Sequence, residues 1–157
     1  MRSRGWVVVW AVLAAVAFAG TGWAGDAATR DECVAKAKEA ARLVKDVGIE
    51  QAIVQINDQN GPFVWKDTYV FTVDLDKTMV IAHPIKPGLI GKNLMALKDV
   101  NGKMFFAEFI NTAKNGGEGW VSYMWPKPGE KQPSPKVTYV YKVPGANTVM
   151  LAGTYEN

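Results

Sequence analysis

Apolar residues recur at three- and four-residue spacing early in the chain and at two-residue spacing later. Cys33, Ala37, Ala40, Val44 and Val47 fall on one stripe, widened by Val34, Ala41 and Leu43. That is the signature of an amphipathic helix over about residues 30–46. Thr29 and Glu32 form a T-x-x-E capping box at its start. Gly48 ends or kinks it, and residues 49–56 read as a second, shorter helical piece. After Phe63 the period changes. Tyr69, Phe71 and Val73 alternate with Val70, Thr72 and Asp74, a strand pattern. Asp74 to Lys77 reads as a tight turn into a second strand over 78–82, a hairpin. The stretch His83 to Asn93 carries Pro84, Pro87, Gly88 and Gly91 and reads as loop.

Beyond that loop, Met104, Phe105, Phe106, Phe109, Ile110 and Ala113 mark a helix over 103–114, stopped by Asn115-Gly116-Gly117. Strands are expected over 120–125, 137–143 and 148–155. Pro126 to Gly129 and Pro144 to Asn147 separate them. Consecutive strands joined by short turns predict an α+β domain: a long N-terminal helix packed on an antiparallel sheet of about five strands, with the helices on one side.

The N-terminus changes the picture of where this domain works. Arg2 and Arg4 precede an apolar run from Trp6 to Phe18, then small residues lead to Ala24. This is the charged, apolar and small-residue order of a secretory signal peptide. Residues 1–24 are therefore expected to be a signal peptide and residues 25–157 one domain, exported to the periplasm. Cleavage after Ala19 is a second option, and an uncleaved inner-membrane anchor is the alternative. Removing Arg2 and Arg4 leaves 16 basic residues against 15 acidic ones, so the mature chain is almost neutral. Without a basic cluster, nucleic acid is not an expected partner.

Cys33 is the single cysteine, on the apolar stripe of the first helix, and is read as core. No nucleophile elbow, zincin or P-loop pattern occurs, and the lone histidine and lone cysteine lie far apart on different elements. Asp74, Asp76 and Asp99 lack the spacing of a calcium loop. The chain is expected to be neither an enzyme nor the holder of a cofactor or metal.

Several segments in order carry a family resemblance: Tyr69-Val70-Phe71, Ala82-His83-Pro84, Leu89-Ile90-Gly91-Lys92-Asn93 and Lys98 to Lys103. Gly119-Trp120-Val121, Tyr123 to Pro126, Lys136 with Tyr139, and Ala152 to Tyr155 complete it. Together they resemble the single Cache domain, type 2, over about residues 30–156. The resemblance implies a PAS-like sheet behind a long helix, outside the cytoplasmic membrane, binding a small molecule, often a short carboxylate. Family members mostly form the outer part of chemoreceptors and sensor kinases. Here only Glu156 and Asn157 follow Tyr155, which is read as a stand-alone exported sensor or carrier with a membrane receptor as a partner. The alternative is a structural or interaction protein that keeps the fold without a working pocket.

A buried carboxylate needs a cation or several donors. Arg30 and Arg42, the only arginines after residue 24, are both on the first helix and expected away from the sheet. Lys136 is thus the expected charge. Tyr69, His83, Tyr123, Trp125 and Tyr139 are expected to offer donors and ring walls. Tyr123 and Trp125 share one face of a strand, and Trp120 falls on the other. For His83, capping a turn before Pro84 is the competing role. For Lys136 it is a solvated strand entry.

Overall fold

The computed structural model describes residues 27–156. The expected signal peptide, residues 1–24, lies outside them. The described residues form helices α1 (Arg30–Val47), α2 (Ile49–Asn57) and α3 (Phe105–Asn115). The strands are β1 (Val64–Trp65), β2 (Thr68–Asp74), β3 (Met79–Ala82), β4 (Glu118–Pro126), β5 (Pro133–Lys142) and β6 (Thr148–Tyr155). No helix among them is long and apolar enough to cross a membrane.

Helix α1 starts where the capping box placed it. The Thr29 side chain accepts from the Glu32 N–H, and the Glu32 carboxylate accepts from the Thr29 N–H. It stops at Gly48, whose φ of 81° is a conformation that side chains rarely adopt. Its buried stripe is Cys33, Ala37, Ala40, Ala41 and Val44. Small residues there let the helix axis lie close to the strands beneath.

The sheet is antiparallel with order β1-β2-β6-β5-β4, and β3 pairs with β2 beside β1. It has six strands rather than five, because the two-residue β1 pairs Val64 with Tyr69 and Trp65 with Thr68. Two residues carry no readable period. β4 pairs with β5 along its whole length, Glu118 opposite Tyr141 through Pro126 opposite Pro133. Both strands run longer than expected, because the prolines sit at the hairpin end.

The helices are not all on one side. α1 and α2 cover one face through Val70, Tyr139, Met150 and Ala152. α3 covers the other through Phe105, Phe106, Phe109, Ile110 and Ala113, against Phe71, Val121, Tyr123, Val140 and Leu151. The physical reason is legible in β6, where all eight residues are buried. A strand dry on both faces needs cover on both.

The segment between β3 and α3 lies over the α3 side as a lid. It contains a short 3-10 turn, Pro87–Leu89. The lid is tied to β3 by the Gly91 N–H to the Val80 carbonyl and the Val80 N–H to the Lys92 carbonyl. It is tied to β4 by the Asp99 carboxylate, which accepts from the backbone N–H of Met124, Asn101 and Lys103.

Candidate functional site

Period-two alternation sends Tyr69, Phe71 and Val73 of β2 toward α3 and the lid, together with Val121, Tyr123 and Trp125 of β4. Between this wall, α3 and the lid lies a hollow of about 20 Å³, lined among others by Tyr69, Phe71, His83, Phe105, Tyr123 and Trp125. Leu89 and Leu94 close it from the lid. Its rings are locked together. Phe105 stacks on Tyr123 with centroids 4.5 Å apart, and His83 sits 4.8 Å from Tyr69. Such a volume holds about one water molecule.

The polar tips of this wall are mostly engaged. Trp125 Nε1 donates to the Tyr69 hydroxyl at 3.1 Å. The Tyr123 hydroxyl and Thr138 Oγ1 are 3.1 Å apart, and the Tyr155 hydroxyl donates to the Pro126 carbonyl at 2.8 Å. His83 Nδ1 accepts from the Lys86 N–H at 3.0 Å, while its own backbone N–H donates to Asn57 Oδ1. The histidine therefore caps a turn and also lines the hollow. Burial first, then the nearby Lys136 and Lys86 charges, push its pKa down to about 3, so the ring is neutral at physiological pH.

Lys136 is 1% exposed, a buried residue rather than a solvated strand entry. It shares a β5 face with Thr138 and Val140, directly opposite Tyr123 on β4 and Tyr155 on β6. Room for it comes from Gly153. A Cβ at that position would lie 2.8 Å from Lys136 Cε and 2.2 Å from Thr138 Oγ1. The Lys136 nitrogen sits 4.3 Å from the Tyr69 ring centroid and 4.8 Å from that of Tyr155. It has no hydrogen-bond acceptor, although it is fully buried. Desolvation lowers its pKa to about 7, against the raising influence of Cys33 and Asp67. Lys136 does not line the hollow itself. The Tyr69 ring contacts both the amine and His83, so an anion bridging the two must shift that ring.

Tyr139 is not part of this cluster. It is one residue out of phase with Thr138 and Val140 and lies on the α1 face. There its hydroxyl donates to the Glu118 carboxylate, and its ring packs 5.2 Å from Trp120. Arg30 is on the same face and, contrary to expectation, touches the sheet. Its guanidinium lies 5.2 Å over Trp120 and pairs with Glu156, because α1 begins beside the end of β6. Arg30 remains across the sheet from the hollow.

Sequence reasoning passed over Lys86, Phe105 and Tyr155 as site residues. Lys86 reaches in from the lid, its amine 4.6 Å from the Trp125 ring centroid. Its position in a loop gave no periodic signal. Phe105 and Tyr155 were legible only as core positions of their elements. No group of three or more histidine, cysteine or acidic side chains could hold a metal among the described residues.

A twisted antiparallel sheet, a long helix behind it and a lidded aromatic hollow in front define a PAS-like sensor fold. The chain belongs to the Single Cache domain 2 family, whose model matches residues 34–157. It is 33% identical over 89 residues to the methyl-accepting chemotaxis protein McpP of Pseudomonas putida. It is 36% identical over 90 residues to the sensor histidine kinase MctS of Rhizobium johnstonii. Each match spans 57% of this chain but only 16% and 19% of those longer proteins. Among solved structures, a chemotaxis receptor from Vibrio parahaemolyticus aligns with TM-score 0.66 and 27% identity, over 80% of this chain and 86% of that one. A periplasmic sensor domain of a chemotaxis protein aligns with TM-score 0.64 and 26% identity, covering 81% and 90%. A Cache chemosensory domain solved for its recognition of carboxylic acids also gives TM-score 0.64 and 26% identity, covering 81% and 88%. By their names these relatives are chemoreceptors and a sensor kinase.

Proposed function

We propose that residues 25–157 form an extracytoplasmic sensor domain for a short carboxylate. The anion is held at Lys136, with Tyr69, His83, Tyr123 and Trp125 as walls and donors. One observation carries this reading: a fully buried lysine nitrogen with no acceptor. Leaving such a group unpaired is costly, and an entering carboxylate is the acceptor it lacks. The carboxylic-acid recognition of a structural relative supports the ligand class, and the signal-peptide pattern of residues 1–24 supports export. The domain passes its state to a receptor or kinase output, as the relatives' names suggest.

A second reading has its own observation. The protein's own rings take up most of the space between sheet and lid and leave a hollow of only about 20 Å³, as expected of a Cache-fold interaction protein with no ligand. A thermal-shift screen of short monocarboxylates separates the two. A true ligand at a hundredfold excess over its Kd adds ~2.7 kcal/mol of stability. Lys136→Met abolishes that shift while leaving the fold intact. If no acid moves the melting point, and native mass spectrometry of the protein from its own cells finds no carried metabolite, the second reading stands.

A further inference from the structure

The surroundings of the Lys136 nitrogen are unusual for an anion site at rest. Every element packed around it can be asked for a compensating negative charge. From α1 comes the Cys33 thiol, whose pKa burial pushes up to about 12. From β2, β4 and β6 come Tyr69, Tyr123 and Tyr155, all driven by burial well above the ordinary phenol value. His83, past the end of β3, is neutral. Lys86 adds a like charge from the lid. Asp67, between β1 and β2, is the one carboxylate named here; it accepts from the Ala28 N–H and forms no ion pair with Lys136. The amine thus sees two tyrosine rings, a thiol and a carboxylate that does not pair with it.

Ring faces attract a cation, but they do not replace water's hydrogen bonds. With no anion beside it, the uncharged amine is favoured in such a place. A carboxylate arriving within hydrogen-bond reach reverses that preference, because the buried pair is stabilised only when the nitrogen carries its third proton.

We propose that Lys136 is an uncharged amine in the empty site and becomes an ammonium as the anion arrives, so that ligand binding takes up a proton and weakens as the pH rises above neutrality. The balance is simple. The amine, the carboxylate and one proton from solvent give an ammonium–carboxylate pair. The histidine, thiol and phenols around the amine keep their state near neutrality, since burial holds His83 far below it and the thiol and phenols far above. The value of about 7 for Lys136 with no anion beside it sets where the linkage begins. This inference rests on the carboxylate reading of the site and adds its regulation: a periplasmic sensor so built responds to acid and ligand together.

Two measurements test it. In the ligand-free protein labelled with carbon-13 at lysine Cε, the Lys136 resonance titrates near pH 7. A midpoint near the ordinary lysine value of about 10.4 overturns the proposal, and no ligand is needed to see it. Acetate and propionate are then titrated calorimetrically at about pH 6 and about pH 8.5, in buffers of different ionisation enthalpy. Expected is an uptake of about one proton per anion at the higher pH and little at the lower, with Kd rising up to about tenfold per pH unit above 7. Binding with no proton uptake at either pH overturns the proposal and leaves the carboxylate reading standing. No binding of either acid, even at the lower pH, overturns both.

Discussion

The two faces of the sheet are built on opposite terms. Behind it, α1 and α2 present cysteine and alanines, and Cys33, Ala37 and Ala40 of α1 and Ala52 of α2 are wholly buried. At the margins of this face Tyr139 pairs with Glu118 and Arg30 with Glu156 in the open, while the Trp65 indole N–H is left without an acceptor. In front, the filling is aromatic, a small hollow remains, and a buried amine has no acceptor. Small side chains packed close leave nothing to rearrange. Large rings around a residual gap, under a lid held by a handful of hydrogen bonds, can shift as units. The rear face is a foundation, and the front face is the part able to respond.

Added volume should therefore be least tolerable where the rear face is tightest and where Lys136 threads the sheet. Ala40→Leu forces a larger group between α1 and the strands and is expected to cost about 3 kcal/mol. Gly153→Ala belongs with it. Its Cβ would meet the Val137 carbonyl at 2.8 Å as well as Lys136 and Thr138, and a backbone neighbour cannot step aside. A loss of about 2–4 kcal/mol in urea denaturation is expected. A Gly153→Ala protein as stable as the parent would show that the strands give way under Lys136, and the tight seat assigned to that side chain would fail.

Next in size is the response of stability to pH, in which the buried Lys136 of the front face is expected to give the rise just above neutrality. Lys136 holds a pKa of about 7 in the fold against an ordinary lysine value of 10.5. Between those values the unfolded chain binds a proton that the folded chain refuses, so stability rises with pH across that window. The contribution is fully present above about 10.5 and lost as the pH falls to about 7. His83 repeats the pattern lower down. Its pKa of about 3 against 6.5 gives stability that is present above 6.5 and lost as the pH falls toward 3. Lys136→Met should remove the alkaline rise and, at neutral pH, stabilise the ligand-free protein by about 1–3 kcal/mol. His83→Gln should flatten the acid limb only. Denaturation midpoints from about pH 4 to 10 check both. An unchanged alkaline slope in Lys136→Met would mean that the amine is solvated in the folded chain.

Much of this architecture was legible because it rests on local rules. The Thr29–Glu32 box and the stripe from Cys33 to Val44 fixed α1, and alternation from Tyr69 to Val73 fixed β2 and its inward face. β1 was too short for any period to register. The two-sided cover was missed because α3 and α1 have similar stripes, and a stripe does not say which face of a sheet it meets. Tyr139 was grouped with Lys136 on family resemblance. Their separation by three residues along one strand puts them on opposite faces, so the parity was available in the sequence. The burial of Lys136 was not, since it depends on Gly153 lying opposite Thr138 across two paired strands.

The smallest expected effect tests whether the two faces are independent. Tyr139→Phe deletes one hydroxyl, which donates to a Glu118 carboxylate that is itself half exposed and also near Lys38. That hydrogen bond helps hold the Glu118 pKa below its usual value, together with the Lys38 charge. Because the pair lies at the margin, water replaces much of what is lost, and the cost should be about 0.5–1.5 kcal/mol. The ring keeps its packing against Trp120 and Tyr141. Carboxylate affinity, measured by the same calorimetry, should change less than about twofold, since additivity holds for sites without shared partners. A tenfold loss of affinity in Tyr139→Phe would mean that strain crosses the sheet through β5, and that the rear face takes part in recognition.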